Sequence, residues 1–323
     1  SRMSIDIHDF DQRTYRTRLE FTSGDRKLAL DTVYQDTSPS GSNLATVVAV
    51  HGSPGSHRDF KFVTPLLEEG GLRVIGVNYP GFGLTEDSDD LLYTNEERTA
   101  FVEALIDRLS LTDRLIFLGH SRGGENALQL AVRNMDKCIG VVLLNPFGLR
   151  INKGMRPRFV VDNIRYYHET YPFLRSTMEW LLYHLYNRVV GLRVREGRHA
   201  VTAVKTLTTT GFDKNKEKVE KINQNVDMGV LLCYSGKDHL IETEISQEFA
   251  DLLERSTRMV CAKSDNEDTV TTEIEQAFLF DSSRRITVEF PDDHHFTQAK
   301  RAKLIARGIL AIAGCEKGIN SSL

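Results

Sequence analysis

A serine lies at the centre of a glycine-flanked motif, residues 119–123 (Gly-His-Ser-Arg-Gly), between two runs of different character. The run before it, residues 114–118, is apolar and typical of a strand, and the run after it, residues 126–132, favours a helix. A serine on a sharp strand-to-helix turn can project its hydroxyl above the sheet edge as a nucleophile. The pattern predicts a catalytic Ser121. The alternative is a glycine-rich turn without a chemical role.

A second motif of the same kind follows an earlier strand-like run. Residues 46–50 are β-branched or small and apolar, and His51-Gly-Ser-Pro-Gly55 comes directly after them. Acyl transfer needs two backbone N–H donors for the oxyanion, one from the residue after the nucleophile and one from a loop after an earlier strand. We therefore expect the N–H groups of Arg122 and Ser53 to form an oxyanion hole. A loop that binds nothing is the alternative.

Composition limits the class of protein. The chain has 323 residues, 40% of them hydrophobic and 27% charged, with a net charge of −4, which is typical of a globular protein and gives no general attraction to nucleic acid. No apolar run is long enough for a transmembrane segment, and the first residues show no signal-peptide core. The four cysteines are widely spaced, which predicts reduced thiols in a cytoplasmic protein and no metal site.

Strand-like and helix-like runs alternate around both motifs. A hairpin is predicted from residues 16–21 and 27–34, and strands at 46–50, 72–77, 114–118 and 140–145 are separated by helical runs. This alternation predicts an α/β fold with a doubly wound, mostly parallel sheet. From about residue 149 to residue 226 the alternation stops, and it resumes with the strand-like run at 230–234.

The motifs described above, together with Asn78-Tyr-Pro-Gly-Phe-Gly83, resemble the α/β-hydrolase superfamily, in particular its epoxide-hydrolase-like and prolyl-aminopeptidase-like branch. The resemblance covers residues from about 16 to 148 and from about 227 to 313. It implies an eight-stranded sheet, a core formed by residues 1–148 and 227–323, and a helical cap formed by residues 149–226. Epoxide hydrolases and haloalkane dehalogenases carry Asp at the nucleophile position, whereas this chain carries Ser121, which favours acyl chemistry over alkyl transfer.

The resemblance also implies where the other catalytic residues lie. The family places its acid on the loop after the strand at 230–234, where this chain has Asp238, and its histidine after the last strand. His295 directly precedes an aromatic residue at the start of the closing helix, as in the family, so we expect His295 to be the base. His294 is the main alternative, and His239 is a remote one.

The sequence alone leaves the role of two stretches open. The segment 149–226 is rich in aromatic residues, which either pack the cap itself or form an apolar wall over an acyl pocket. It also begins with a basic cluster (Arg150, Lys153, Arg156, Arg158 and Arg165) that is either a solvated face or a site for an anionic end of the substrate, such as a phosphate or a coenzyme A tail. Residues 264–283 contain six acidic residues and no basic one. We expect an acidic insertion at the surface, and we favour a solvated segment over a surface that binds a partner.

Together these features predict a serine hydrolase with the triad Ser121, Asp238 and His295 and with no cofactor. The expected substrate is a small acyl compound with an apolar part, by default a carboxylic ester. An amide, a thioester or a carbon–carbon bond would use the same residues. A non-catalytic binding protein on the same fold is the alternative from another class, and the presence of all three triad residue types in order counts against it.

Overall fold

The computed structural model describes residues 13–280 and 284–314. Within these residues one nine-stranded sheet forms the centre of the molecule, with the strand order β1-β2-β4-β3-β5-β6-β7-β9-β8. The strands are β1 (Thr14–Ser23), β2 (Arg26–Asp36), β3 (Thr46–Val50), β4 (Arg73–Val77), β5 (Leu115–His120), β6 (Cys138–Leu144), β7 (Gly229–Ser235), β8 (Thr257–Val260) and β9 (Arg285–Phe290).

The sheet is mostly parallel. β1 and β2 form the predicted antiparallel hairpin, β2 is antiparallel to β4, and all other neighbouring strands are parallel. The central strands β3, β4 and β5 are buried at every residue, as expected where helices cover both faces of a parallel sheet. The predicted fold class is confirmed.

The sheet has one strand more than the eight expected. The additional strand, β8, pairs only with β9 and forms the edge of the sheet. It is four residues long and its residues alternate between partly buried and exposed. Because so short an edge strand has neither a continuous apolar run nor several periods of alternation, its sequence carries little strand signal.

Eleven α-helices are present in the described part of the chain. They are α1 (Thr64–Glu69), α2 (Asn95–Arg108), α3 (Arg122–Arg133), α4 (Arg158–Thr170), α5 (Arg175–Leu185), α6 (Gly197–Thr208), α7 (Asp213–Gln224), α8 (Thr243–Asp251), α9 (Glu267–Phe280), α10 (Thr297–Lys300) and α11 (Ala302–Ile312). Helices α2, α3, α7 and α8 contribute to the apolar core on one face of the sheet, and α1, α9 and α11 to the core on the other. No helix in residues 13–280 and 284–314 is both long and apolar enough to cross a membrane.

The segment between β6 and β7 is helical, and we call residues 149–226 the helical segment. It contains α4 to α7 and three short helical turns, Lys153–Met155, Pro172–Leu174 and Tyr186–Val190. α4 and α5 both pack on α6, whose inner residues Ala200 and Ala203 are fully buried. That this segment is a cap, separate from a core made of residues 1–148 and 227–323, stays a prediction.

The acidic stretch is not a solvated excursion. Helix α9 buries Ile274 and Phe278 in the core, and its carboxylates face the basic side of α11. Glu275 pairs with Arg307, and Asp268 lies 3.2 Å from Lys303. The acids of α9 therefore balance bases elsewhere in the sequence, which a count restricted to residues 264–283 does not reveal. Residues 281–283 of this stretch lie outside the described residues.

Candidate active site

The turn between β5 and α3, which we call the elbow, places Ser121 at the carboxyl edge of the sheet. Ser121 has φ 53° and ψ −124°, a strained conformation that is uncommon for a residue with a side chain. The turn also requires close backbone approach, because a Cβ on Gly123 would lie 2.3 Å from the carbonyl oxygen of Val50. A Cβ on Gly119 would lie 2.7 Å from the Cβ of Ala127. Glycine at both positions lets the turn form beside β3 and against α3.

Ser121, His295 and Asp238 lie in hydrogen-bonding sequence. The Oγ of Ser121 is 3.0 Å from Nε2 of His295, and Nδ1 of His295 is 2.7 Å from Oδ2 of Asp238. The carboxylate can only accept, so Nδ1 carries the proton and Nε2 is left free to accept from the serine hydroxyl. All three side chains are buried or nearly so. The structure thus brings the three predicted triad residues into one cluster.

Asp238 is held in its ionised form. Burial alone would raise the pKa of this carboxyl group. The hydrogen bond and charge of His295 oppose that effect, together with the N–H groups of Leu240 and Ile241, which donate to Oδ1 at 2.8 and 3.1 Å. The result is a pKa below the ordinary value for an aspartate. Asp238 can therefore stabilise a positive charge on His295 over the whole neutral range.

The two other histidines considered for the base are placed differently. His294 is exposed, and its Nδ1 donates to the carbonyl oxygen of Lys237 at 3.0 Å. His239 is also exposed, with its ring 6.2 Å from that of His295. Neither has a hydrogen bond to Ser121 among the contacts of the described residues, so the geometry favours His295.

The loop after β3 is held by its histidine. The N–H of Tyr79 donates to Nε2 of His51 at 3.1 Å, so Nδ1 carries the proton and donates to the carbonyl oxygen of Gly52 at 2.7 Å. Burial, with the positive charge of Arg98 as a second cause, lowers the pKa of His51 to about 3. A permanently neutral His51 therefore fixes the backbone on both sides of the loop that carries Ser53.

The two expected oxyanion donors lie near the nucleophile. Arg122 is the first residue of α3, so its N–H has no acceptor within the helix. Ser53 and Ser121 line the same cavity, and the Oγ of Ser53 lies 2.6 Å from Oγ1 of Thr206. The side chain of Ser53 is thus used to contact the helical segment, which leaves its backbone N–H as the group that could serve an oxyanion.

The side chain of Arg122 points away from the cavity into a buried polar cluster. Its guanidinium group is fully buried and donates to Glu125 at 2.7 Å and to Asn95 at 3.1 Å. Glu125 also accepts from the N–H of Gly211 at 3.0 Å and lies 3.8 Å from Lys218. This cluster connects the start of the elbow helix to α6 and α7 of the helical segment.

A cavity of about 210 Å³ extends from Ser121 into the helical segment. Its walls are mainly apolar and include Phe147, Met155, Val161, Leu182, Tyr186 and Val204. Of the aromatic residues of the helical segment, Tyr186 contributes to the wall, whereas Tyr166, Tyr167, Phe173 and Trp180 are exposed. Most of these aromatic side chains therefore neither line the pocket nor pack inside the segment.

The basic cluster at the start of the helical segment is largely neutralised by salt bridges. Arg150 forms a bidentate pair with Glu248, and Arg156 pairs with Glu242. Arg158 and Arg165 pair with Asp162 and Glu169, each one helical turn later. Because of these pairs, we favour a solvated face for this cluster. A site for an anionic end of the substrate is the less favoured alternative.

Two residues that support the site were not expected from the sequence. The Nδ2 of Asn145 donates to Oδ2 of Asp238 at 3.0 Å, and its Oδ1 accepts from Thr297 at 2.7 Å. Thr206 contacts Ser53 across 153 residues of sequence. Asn145 directly follows β6 at the carboxyl edge of the sheet, which is the one sequence feature that could have indicated it. No group of three or more potential ligands in residues 13–280 and 284–314 could hold a metal ion.

The comparisons with known proteins agree with this architecture. An uncharacterized protein of Caenorhabditis elegans is 29% identical over 321 residues, covering 96% of this chain and 88% of the other. The 2-hydroxy-6-oxo-2,4-heptadienoate hydrolase of Pseudomonas putida is 30% identical over 142 residues, which is 42% of this chain and 49% of that enzyme. A haloalkane dehalogenase of Bradyrhizobium elkani superposes with a TM-score of 0.62 at 16% identity, covering 94% and 99% of the two chains.

A family model also matches nearly the whole chain. A model described as "alpha/beta hydrolase of unknown function (DUF1057)" matches residues 11–313. This range includes the elbow, both neighbouring loops and the whole helical segment. The resemblance predicted from the motifs is confirmed, and the chain belongs to this α/β-hydrolase family.

Proposed function

We propose that the protein is a serine hydrolase that cleaves a carboxylic ester through an acyl-enzyme on Ser121. The observation that carries the proposal is the hydrogen-bonded sequence Ser121–His295–Asp238, with heavy-atom distances of 3.0 and 2.7 Å. Distances of this size allow His295 to take the serine proton during attack and to return it to the leaving group. Asp238 would hold the imidazole in the required tautomer and stabilise the imidazolium.

The tetrahedral oxyanion would be bound by the backbone N–H groups of Arg122 and Ser53. The N-terminus of α3 directs its unpaired N–H groups and its positive dipole end toward the position next to Ser121. Each such donor contributes roughly 3–4 kcal/mol to transition-state stabilisation in comparable sites. A water molecule would then attack the acyl-enzyme with His295 as the base.

The helical segment would act as a cap that determines which acyl groups enter. Its residues Leu182, Tyr186 and Val204 form apolar walls of the cavity that contains Ser121. A cavity of about 210 Å³ is smaller than the typical drug-sized pocket of roughly 300–1,000 Å³. We therefore expect a preference for acyl groups of short to medium length with little polarity.

Cleavage of a carbon–carbon bond is the second candidate. The hydrolase of Pseudomonas putida with which this chain shares 30% identity over 142 residues is named for a 2-hydroxy-6-oxo-dienoate substrate. Such a substrate carries a carboxylate. The bases at the start of the helical segment are mostly engaged with Glu242, Glu248, Asp162 and Glu169, so the apolar cavity favours the ester.

Labelling with a fluorophosphonate tests the nucleophile, because this probe reacts only with an activated serine. The parent protein should label stoichiometrically, and Ser121→Ala should lose both labelling and ester hydrolysis, the latter by about 10⁴–10⁶-fold. Ser110→Ala is a matched control, since Ser110 is an exposed serine that also has a positive φ, of 52°. Full labelling of Ser121→Ala would end the proposal. Turnover of chromogenic esters, an anilide, a thioester and a dienoate by the parent then identifies the bond that is cleaved.

A further inference from the structure

Two helices of the helical segment present large apolar side chains to solvent. We call these residues the exposed apolar face: Phe159, Val160, Tyr166 and Tyr167 of α4, Phe173 of the following turn, Trp180, Leu181 and Leu185 of α5, and Val189. Phe173 is 78% exposed and Val189 is 75% exposed. So many large apolar side chains exposed on two neighbouring helices indicate an interaction surface.

Within the face, the aromatic side chains at the end of α4 and in the turn after it are neighbours. The rings of Tyr166 and Tyr167 lie 5.4 Å apart, and Tyr171 connects them to Phe173 through ring distances of 5.9 Å. On α5 and the turn after it, Leu181, Leu185 and Val189 follow at intervals of four residues, which places them on one side of the helix. Because α4 and α5 both pack on α6, their exposed side chains lie on the sides that α6 does not cover.

The part of the helical segment that carries the exposed apolar face has an excess of basic residues. Residues 149–198 contain ten lysine and arginine residues and four acidic ones. Asp162, Glu169 and Glu196 each pair with an arginine, whereas Glu179 lies against His168, whose pKa is lowered by burial. Arg188 is exposed and makes no ion pair with any residue in 13–280 or 284–314. Arg188 lies directly before Val189. The part of the chain that carries the face therefore has a net positive charge, which favours an anionic partner.

The exposed apolar face reaches the mouth of the cavity that contains Ser121. Val160 and Leu185 belong to the face and also line that cavity, together with Ile164. An apolar chain lying against the outer side of α4 and α5 could therefore pass between these residues toward Ser121. A partner on this face would cover the access route to the candidate active site.

We propose that the exposed apolar face docks onto a bilayer surface that contains anionic phospholipid. The tyrosines and Trp180 would lie at the level of the headgroups, as such amphipathic rings do, while Phe159, Leu185 and Val189 enter the acyl region and Arg188 meets a lipid phosphate. Helices with an aromatic and aliphatic side flanked by free cations bind membranes in this manner. A symmetric contact with a second copy would bring Arg188 of both copies into the same interface, which disfavours that occupant.

Docking itself does not depend on catalysis, but its consequence for the substrate does. If the proposed function holds, the cavity would receive the acyl chain of an amphiphilic ester directly from the bilayer. Ser121→Ala should bind vesicles as tightly as the parent, so a failure of docking and a failure of the proposed chemistry are observed separately.

The chain contains a single tryptophan, Trp180, which reports directly on this face. With vesicles of two parts phosphatidylcholine and one part phosphatidylglycerol, we expect the emission of Trp180 to shift to shorter wavelength and to be quenched by brominated acyl chains. Vesicles of phosphatidylcholine alone should bind at least tenfold more weakly. Unchanged emission and no co-sedimentation with either vesicle would overturn the proposal. A blue shift that appears on raising the protein concentration without lipid would also overturn it, because it would show a contact between copies.

Substitutions on the face separate docking from folding. Phe159→Ser and Phe173→Ser should each weaken binding to the anionic vesicles about tenfold, and Arg188→Gln about fivefold. Phe62→Ser is the matched control, since Phe62 is an exposed aromatic residue outside the helical segment; it should bind as the parent does. Hydrolysis of a water-soluble short ester should be unchanged in all four variants, which shows that each is folded. Equal binding by Phe62→Ser, Phe159→Ser and Phe173→Ser would refute the assignment of the surface.

Discussion

Replacing Glu125 by glutamine should strongly destabilise the protein, although the shape of the side chain is kept. Glu125 is fully buried and accepts from Arg122 at 2.7 Å and from the N–H of Gly211 at 3.0 Å, with Lys218 at 3.8 Å. The substitution removes the negative charge that balances two buried cations, Arg122 and Lys218. The side-chain NH₂ group of glutamine would also face either Arg122 or the N–H of Gly211, and both of these groups can only donate.

The magnitude follows from which cation can lose its proton. Removing one partner of a buried ion pair costs about 3–5 kcal/mol, because the other charge stays buried without compensation. Lys218 can give up its proton, since burial already lowers its pKa and Glu125 acts in the opposite direction. Arg122 cannot. We therefore expect the lower end, a loss of about 3 kcal/mol in the free energy of unfolding and of about 5 °C in Tm.

Urea denaturation and thermal melting followed by circular dichroism would measure this loss. Glu96→Gln is the matched control, because Glu96 pairs with Arg133 at an exposed position; its effect should stay within about 0.5 kcal/mol. The double variant Arg122→Leu with Glu125→Leu should be more stable than Glu125→Gln, since it removes both charges. A loss below about 1 kcal/mol for Glu125→Gln would refute the reasoning and would indicate that water reaches the cluster.

Three further predictions concern the site and its histidines. His295→Ala should lower ester turnover about 10³-fold or more, and His294→Ala should stay within about tenfold; the reverse ranking in the same assay would move the base to His294. Ser53→Ala should change turnover by less than about tenfold, because alanine keeps the backbone N–H; a loss near 10³-fold would assign the role to the hydroxyl. Burial lowers the pKa of both His51 and His120 to about 3, so below pH 6.5 only the unfolded chain protonates them. The free energy of unfolding, measured in urea, should then fall by up to about 2.7 kcal/mol per pH unit toward pH 3, and a flat profile would contradict the two values.

The elbow could be predicted from sequence because its geometry restricts residue type. Gly119 and Gly123 are required because a Cβ at these positions would lie 2.7 and 2.3 Å from other atoms. This requirement is visible in the sequence as a glycine on each side of the motif around Ser121. Asp238 and His295 lie on the loops after β7 and β9, where the resemblance to the family predicted them. Their roles stay predictions, although the structure brings them together with Ser121.

The contacts that the sequence did not reveal are those with no local pattern. Thr206 meets Ser53 from a helix 153 residues away, and Asn145 is a single amide after a strand. The exposure of Phe173 and Trp180 could not be read from their spacing, because the same spacing also describes a helix that buries its aromatic side chains. Only the position of α6 decides which sides of α4 and α5 are covered.

The pairing of β6 with β7 also has a consequence for the evolution of this chain. Val141 pairs with Val230 and Leu144 with Cys233, so the sheet is continuous across a connection that runs through residues 145–228. The entropy needed to close such a connection grows only with the logarithm of its length, by about 0.6 kcal/mol per doubling. Insertions and deletions between α4 and α7 would therefore leave the strand register nearly unaffected. Substrate range in relatives could diverge through the length of this connection while the strands keep their sequence.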